Sequence, residues 1–251
     1  MRRRLKVAEL FLTVGLVAGV AACGDTTTAE VDDTAPTISE IEASEGGEGG
    51  EGGEGGEAYS EGEQANADFE DKLSGAELLS ALQEGGHIIY FRHAQTEKDY
   101  ADQADPNMSL DDCETQRKLN DVGIAQAEGI GAAFEEKAIP VGEVITSEYC
   151  RAWQTADLAF GKHTKNAKLN FLPFEDYTDA QVEEMKANVT PLLTAVPETG
   201  TNTVIVGHDD IFESATGIYP DPQGIAYVLT PDGSGEFTLQ ANMLPEEWAQ
   251  L

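Results

Sequence analysis

Arg92-His93, Arg151 and His208 are the residues of this chain whose types and settings suit work on a phosphoryl group. Arg92-His93 ends the run His87-Ile88-Ile89-Tyr90-Phe91, and His208 ends Thr203-Val204-Ile205-Val206-Gly207. Arg151 follows Val144-Ile145-Thr146-Ser147-Glu148-Tyr149-Cys150 and opens an apolar, helix-forming stretch. A guanidinium offers a planar fork of donors to phosphate oxygens, and a neutral imidazole can attack phosphorus. One Arg-His dipeptide would be weak evidence, because such pairs are common on surfaces. Three short apolar runs that each end on a cation or an imidazole form an anion site if their ends converge, and the ends of strands in open α/β sheets are where ligands bind.

Convergence requires elements that deliver those ends to one place. The runs before Arg92, Arg151 and His208 are short and rich in β-branched and aromatic residues, and are bounded by turn formers, which predicts buried strands. Ser74 can cap a helix with Leu78, Leu79 and Leu82 on one face, stopped by Gly85-Gly86. A longer helix is predicted from about 120 to 137, with Val122, Ile124, Ala127, Ile130 and Phe134 at near-helical spacing, and another from Arg151 to Phe160, stopped by Gly161. Leu169 to Phe174 reads as an edge strand because it contains Pro173, and Thr178 to Val196 as a helix broken or kinked at Pro191. Ile211 to Thr216 is a brief helix, and Gly224–Leu229 with Phe237–Ala241 make a hairpin. The alternation of strands and helices predicts a three-layer α/β/α sandwich with a mostly parallel central sheet.

Arg92-His93-Ala94-Gln95-Thr96-Glu97, the stretch from Ser147 to Ala156, and Val204-Ile205-Val206-Gly207-His208-Asp209 together resemble the motifs of the histidine phosphatase superfamily, also called phosphoglycerate mutase-like. The resemblance runs from about Ser74 to the C-terminus. It implies that His93 is the nucleophile and forms a phosphohistidine, and that Arg92, Arg151 and His208 hold the phosphoryl oxygens. It also implies metal-independent chemistry with no cofactor and a phosphomonoesterase acting on a small phosphorylated substrate. Leu119 and Gly123 match the family's stretch before its first long helix, which makes Arg117 a further phosphate ligand or else a solvated arginine. Ala94 stands where glycine is commonest, and Glu148 where a small residue or proline is commoner, which brings its carboxylate toward the phosphate or leaves it at the rim. For the proton donor, Asp209 resembles the His-Asp motif of the acid phosphatase branch and is favoured over Glu175, which suits the mutase branch; Glu148 and Glu213 are further carboxyls to weigh. Alternatives to a general phosphomonoesterase are a phosphohistidine or phosphotyrosine protein phosphatase, and a non-catalytic anion-binding surface lipoprotein. His87 and His163 read as structural or solvated, and no metal-ligand spacing appears.

The N-terminus carries addressing information. Arg2-Arg3-Arg4 and Lys6 precede the apolar stretch Leu10–Val20, and Val20-Ala21-Ala22-Cys23 resembles a bacterial lipobox, so residues 1–22 are expected to be a signal peptide and Cys23 to be lipidated. Residues 23–71 contain no Lys, Arg or His after Cys23 and a Glu-Gly-Gly repeat from Glu45 to Glu57, the composition of a disordered acidic tether. The catalytic domain is expected to span 72–251 in an exported, membrane-anchored bacterial lipoprotein, facing the periplasm or the cell surface. Those residues hold 30 acidic against 11 basic side chains, a net of −19. That field opposes nucleic acid, so any phosphorylated substrate must be captured by a local cationic pocket. With Cys23 assigned to lipid, Cys113 and Cys150 remain as an even pair in an oxidising setting, either bridged or as separate buried thiols.

Overall fold

In the computed structural model, which describes residues 59–251 apart from Asp99 and Glu175, β1 (Ile88–Arg92) lies in the middle of a six-stranded sheet. The other strands are β2 (Val141–Thr146), β3 (Thr164–Lys165), β4 (Asn202–Gly207), β5 (Ala226–Pro231) and β6 (Phe237–Met243), in the order β3-β2-β4-β1-β5-β6. The first four strands in that order pair in parallel, β5 pairs antiparallel to β1, and β6 pairs antiparallel to β5. The helices are α1 (Glu61–Ala67), α2 (Gly75–Glu84), α3 (Asp121–Glu136), α4 (Cys150–Phe160), α5 (Asp179–Leu193) and α6 (Asp209–Thr216).

Both faces of the sheet are covered, which is why β1 and β4 read as continuous apolar runs and not as alternating ones. Ile89 and Phe91 of β1, with Val204 and Val206 of β4, join Leu78, Leu82, Ile130, Phe134, Ala152 and Trp248 on one face. Ile88, Tyr90 and Ile205 join Met185, Val189, Leu193, Ile211 and Phe212 on the other. Helices on both sides of a mostly parallel sheet give the three-layer sandwich. The register of β1 with β4 pairs Arg92 with Gly207, so His93 and His208 leave adjacent strands side by side.

Three expectations need correction. Residues Leu169 to Phe174 form no strand: a 3₁₀ turn at Ala167–Leu169 leads into a loop, and the edge of the sheet is β3, paired to Ile145 and Thr146. The loop is kept from the sheet because Leu169 and Phe171 turn inward and are buried. Pro191 does not break α5, which continues to Leu193, with Thr194 still bonding back to Thr190. Sitting in the last turn, the proline removes only one donor near an end that frays anyway. The ordered domain also begins before Lys72, since residues 61–67, expected in the tether, form α1 behind a complete Ser60–Glu63 capping box. Asn66 ties that helix down by donating to the Asp221 carbonyl and accepting from the Tyr227 hydroxyl. The signal peptide at 1–22, Cys23 and the Glu-Gly-Gly repeat lie outside the described residues.

Candidate active site

His93 follows directly on β1, its backbone N–H bonded to the Gly207 carbonyl of β4 at 3.0 Å. Its imidazole is fully buried. Nδ1 lies 2.8 Å from the Ala94 carbonyl, an acceptor, so Nδ1 carries the proton and Nε2 presents a lone pair. Arg151 Nε and Arg117 Nη2 each stand 3.2 Å from that Nε2. Burial holds the His93 pKa well below the ordinary histidine value, and the Arg151 charge, His208, Arg117 and Arg92 push it further down. The ring is therefore neutral at physiological pH, the form in which it can act as a nucleophile.

Arg151 is delivered by the first turn of α4, whose start is fixed by the Cys150 backbone N–H donating to Gln116 Oε1 at 2.8 Å. The guanidinium is fully buried, with Nη1 2.8 Å from Asp102 Oδ2, and Nη2 has no hydrogen-bond partner among the described residues. Tyr149 stacks against it at 4.8 Å. Asp102 Oδ2 also accepts the Arg117 backbone N–H at 3.0 Å, so one buried carboxylate sets both arginines that face His93. Arg117 Nη1 donates to the Tyr100 carbonyl at 2.9 Å.

His208 caps α6, and its ring lies 5.5 Å from that of His93. Phe171 covers it at 4.1 Å, and its Nε2 is 2.8 Å from Ser147 Oγ. Burial followed by Arg151, Arg117 and Arg92 keeps it, too, well below the ordinary histidine pKa. Its Nδ1 is buried with no partner among the described residues. Arg92 is clamped: Nη2 pairs with Asp209 at 2.6 Å, and Nη1 bonds Asp221 Oδ1 at 2.8 Å and the Pro220 carbonyl at 3.0 Å.

A cavity of about 290 Å³ is lined by Arg117 and Arg151 with Tyr100, Gln103, Phe171, Asp209, Asp210 and Tyr219, among others, whereas His93, His208 and Arg92 do not line it. His93, His208, Arg92, Arg117 and Arg151 are all buried, and Arg117 and Arg151 link His93 to the cavity wall, an arrangement of charges that suits an anion. The backbone after His93 is fixed by close approach to α3: a side chain at Gly123 would run into the Gln95 backbone, and Asn120 bonds the Thr96 carbonyl.

Of the sequence-proposed carboxyls, Asp209 lies on the cavity wall, while Glu175 lies outside the described residues. Glu148 is held by Asn170 at 2.7 Å and Glu213 packs against Gly62; neither lines the cavity. His87 bonds Thr230 and His163 stacks on Trp153, both away from the cavity. A disulfide joins Cys113 to Cys150, with 5.7 Å between their Cα atoms. Sequence reasoning missed Asp102, Asp210, Tyr219, Asp221 and Ser147. Asp210 carried a signal as the second carboxyl after His208, and Ser147 as the first residue of the second motif; Asp102, Tyr219 and Asp221 sit in loops or turns with no readable pattern.

Residues 88–192 match the family model described as histidine phosphatase superfamily, branch 1. No curated protein matches the chain. Among solved structures, the chain is similar to the protein histidine phosphatase SixA complexed with tungstate, at 15% identity and TM-score 0.47, over 64% of this chain and 98% of that one. It is similar to a mycobacterial glucosyl-3-phosphoglycerate phosphatase in complex with VO3, at 16% identity and TM-score 0.44, over 62% and 97%. It is also similar to the alpha-ribazole phosphatase from Shigella flexneri, at 17% identity and TM-score 0.46, over 62% and 95%.

Proposed function

We propose, from the premise that this chain is a histidine phosphatase superfamily member through its residues 88–192, that it hydrolyses small phosphomonoesters through a phosphohistidine on His93. The observation that carries this reading is the lone pair of His93 Nε2, aimed between Arg151 Nε and Arg117 Nη2, each at 3.2 Å. Those two donors converge on the atom that would attack, so their N–H groups are at hand for the oxygens of a phosphoryl group brought against Nε2.

His93 Nε2 attacks phosphorus in line, and the ester P–O bond breaks as the N–P bond forms. Arg151 and Arg117 stabilise the charge on the equatorial oxygens, with His208 beside them and Arg92 held at the same strand edge by Asp209 and Asp221. A carboxylic acid on the wall gives its proton to the leaving alcohol. The same carboxylate then takes a proton from water, whose oxygen displaces the imidazole and releases phosphate. Cationic side chains supply the charge stabilisation, so no metal is needed.

Hydrolysis of p-nitrophenyl phosphate in the presence of EDTA tests the reading. Turnover, inhibition by vanadate and an acid-labile phosphate trapped on the protein by alkaline quench are expected. A protein that binds phosphate without turnover would be an anion-binding module instead.

We further propose export and lipidation at Cys23. The lipobox supports it, and so does the Cys113–Cys150 bridge, a bond that persists in oxidising compartments. Metabolic labelling with palmitate, lost in Cys23→Ser, tests it.

A further inference from the structure

We propose that Asp210, and not its neighbour Asp209, is the acid that protonates the leaving alcohol, an assignment that rests on the phosphatase reading above. Both carboxylates stand in the first turn of α6 and line the same cavity as Arg117 and Arg151. Their surroundings differ. Asp209 Oδ2 is shared between Arg92 Nη2 at 2.6 Å and the Tyr219 hydroxyl at 3.0 Å, and its Oδ1 accepts the Asp210 backbone N–H at 3.0 Å. All three partners donate, so both Asp209 oxygens are committed as acceptors. Protonating it would break the clamp on Arg92 at the moment the phosphoryl group needs it.

The Asp210 carboxyl has no hydrogen bond or ion pair among the described residues, and its side chain opens on the cavity. Asp209 and Glu213 face it from α6, Tyr177 from the segment before α5, and Arg92 from the end of β1. Burial first, then the negative charges of Asp209 and Glu213, raise its pKa to about 7 against the opposing Arg92 charge. At neutral pH a sizeable fraction of Asp210 is therefore a neutral carboxylic acid within a site whose other wall carboxylate is committed. Asp209 thus has two roles: it holds Arg92, and it keeps a proton on Asp210. As the P–O bond breaks, the electron pair passes to the leaving oxygen, which takes the Asp210 proton. The resulting carboxylate then accepts a proton from the water that opens the phosphohistidine.

A proton donor matters most when the leaving group is a poor one. The test compares kcat/KM for glycerol 2-phosphate, an alkyl ester, with that for p-nitrophenyl phosphate, whose phenolate departs without a proton. In Asp210→Asn the loss on the alkyl ester should exceed the loss on the aryl ester by about 100-fold, within the range general acids contribute. The fall of the alkyl profile above about pH 7, set by deprotonation of Asp210, should disappear in that variant. Asp209→Asn should lose activity on both esters alike, through Arg92. Equal losses on the two esters in Asp210→Asn would overturn the assignment, as would the selective loss appearing in Glu175→Gln instead. If the wild type turns over neither ester, the phosphatase reading fails and takes this assignment with it; residual aryl-ester turnover in Asp210→Asn shows that the site has folded.

Discussion

The floor of the site, behind the cavity lining, comes from strand ends and helix starts: His93 after β1, His208 after β4, and Arg151 in the first turn of α4. Its wall comes mostly from connections: Tyr100 and Gln103 between β1 and α3, Phe171 between β3 and α5, and Tyr219 between α6 and β5. The floor is positioned by the register of a sheet that buries both faces, so its geometry is spread over many backbone bonds. The wall is positioned by a few individual links, namely the Asp102 carboxylate, the Cys113–Cys150 bridge and the Asp221 clamp on Arg92. A change in the floor should therefore abolish chemistry without unfolding the domain, whereas a change in a wall link should cost stability and substrate affinity together.

The largest expected effect is on the floor. His93→Ala should lower turnover by about a thousandfold or more while far-UV circular dichroism and the melting temperature stay near wild type, because the nucleophile proposed above is lost and only a small part of the packing. Wild-type turnover in that variant would remove His93 from the mechanism. Asp102→Asn is the matching experiment on the wall. It leaves the buried Arg151 guanidinium without its countercharge, which should cost about 3–5 kcal/mol in urea unfolding and depress turnover as well. A variant of unchanged stability would show that Asp102 is not the link that sets the two arginines.

The same contrast governs what could be read from the sequence. The floor was legible because strands buried on both faces write themselves as Ile88–Phe91 and Val204–Val206, and because three motifs mark their ends. Fold class and the cationic residues followed. Asp102 was not legible: it reaches Arg151 across 49 positions from a loop with no periodicity, and no local rule links the two. The Leu169–Phe174 segment was misread as a strand for the same kind of reason. Its apolar residues serve the wall, with Phe171 packed on His208, and not a sheet. The tether boundary was misplaced because the composition of residues 61–67 is acidic and glycine-containing; what orders them is the Ser60–Glu63 capping box and the contacts of Asn66 with residues far along the chain.

Reduction of the disulfide should have the next largest effect. The bridge ties the segment carrying Arg117 to the start of α4, and Gln116 reinforces it by accepting the Cys150 N–H at 2.8 Å. Loss of the bridge should cost about 2–4 kcal/mol and raise KM more than it lowers kcat, since His93 lies on a different strand. Thiol titration of the denatured, unreduced protein checks the premise, because two free thiols from this pair would show that the bridge is not formed in solution.

The pH dependence of stability separates floor from wall by sign. His93 and His208 stay neutral in the folded protein, while in the unfolded chain they take up protons near pH 6.5. As pH falls below that value, each histidine should lower stability by about 1.4 kcal/mol per pH unit until its folded pKa is reached. Asp210 acts oppositely: the folded state keeps its proton up to about pH 7 while the unfolded chain releases it near 4, so between those values stability from this group is lost as pH rises. Between pH 5.5 and 6.5 the histidines should outweigh Asp210, and unfolding free energy should decrease toward acid. His93→Ala should flatten that slope and Asp210→Asn should steepen it. Two variants moving the slope in the same direction would mean that one of these groups is not in the protonation state assigned to it.

The smallest effect is expected at the edge of the wall, where α1 meets the clamp on Arg92. Asn66 donates to the Asp221 carbonyl at 2.9 Å, and the Gly62 carbonyl accepts the Tyr219 backbone N–H at 3.0 Å. Asp221 and Tyr219 are the residues that in turn hold Arg92 and Asp209. Each net hydrogen bond contributes about 0.5–1.5 kcal/mol, so Asn66→Ala should destabilise by roughly 1–2 kcal/mol. A chain that starts at Lys72 should melt below one that starts at Tyr59 and should raise KM a few-fold with little change in kcat, because α1 supports the residues that hold Arg92 and Asp209 and not His93. Identical melting and kinetics for the two chains would show that residues 59–71 rest on the domain without supporting its wall.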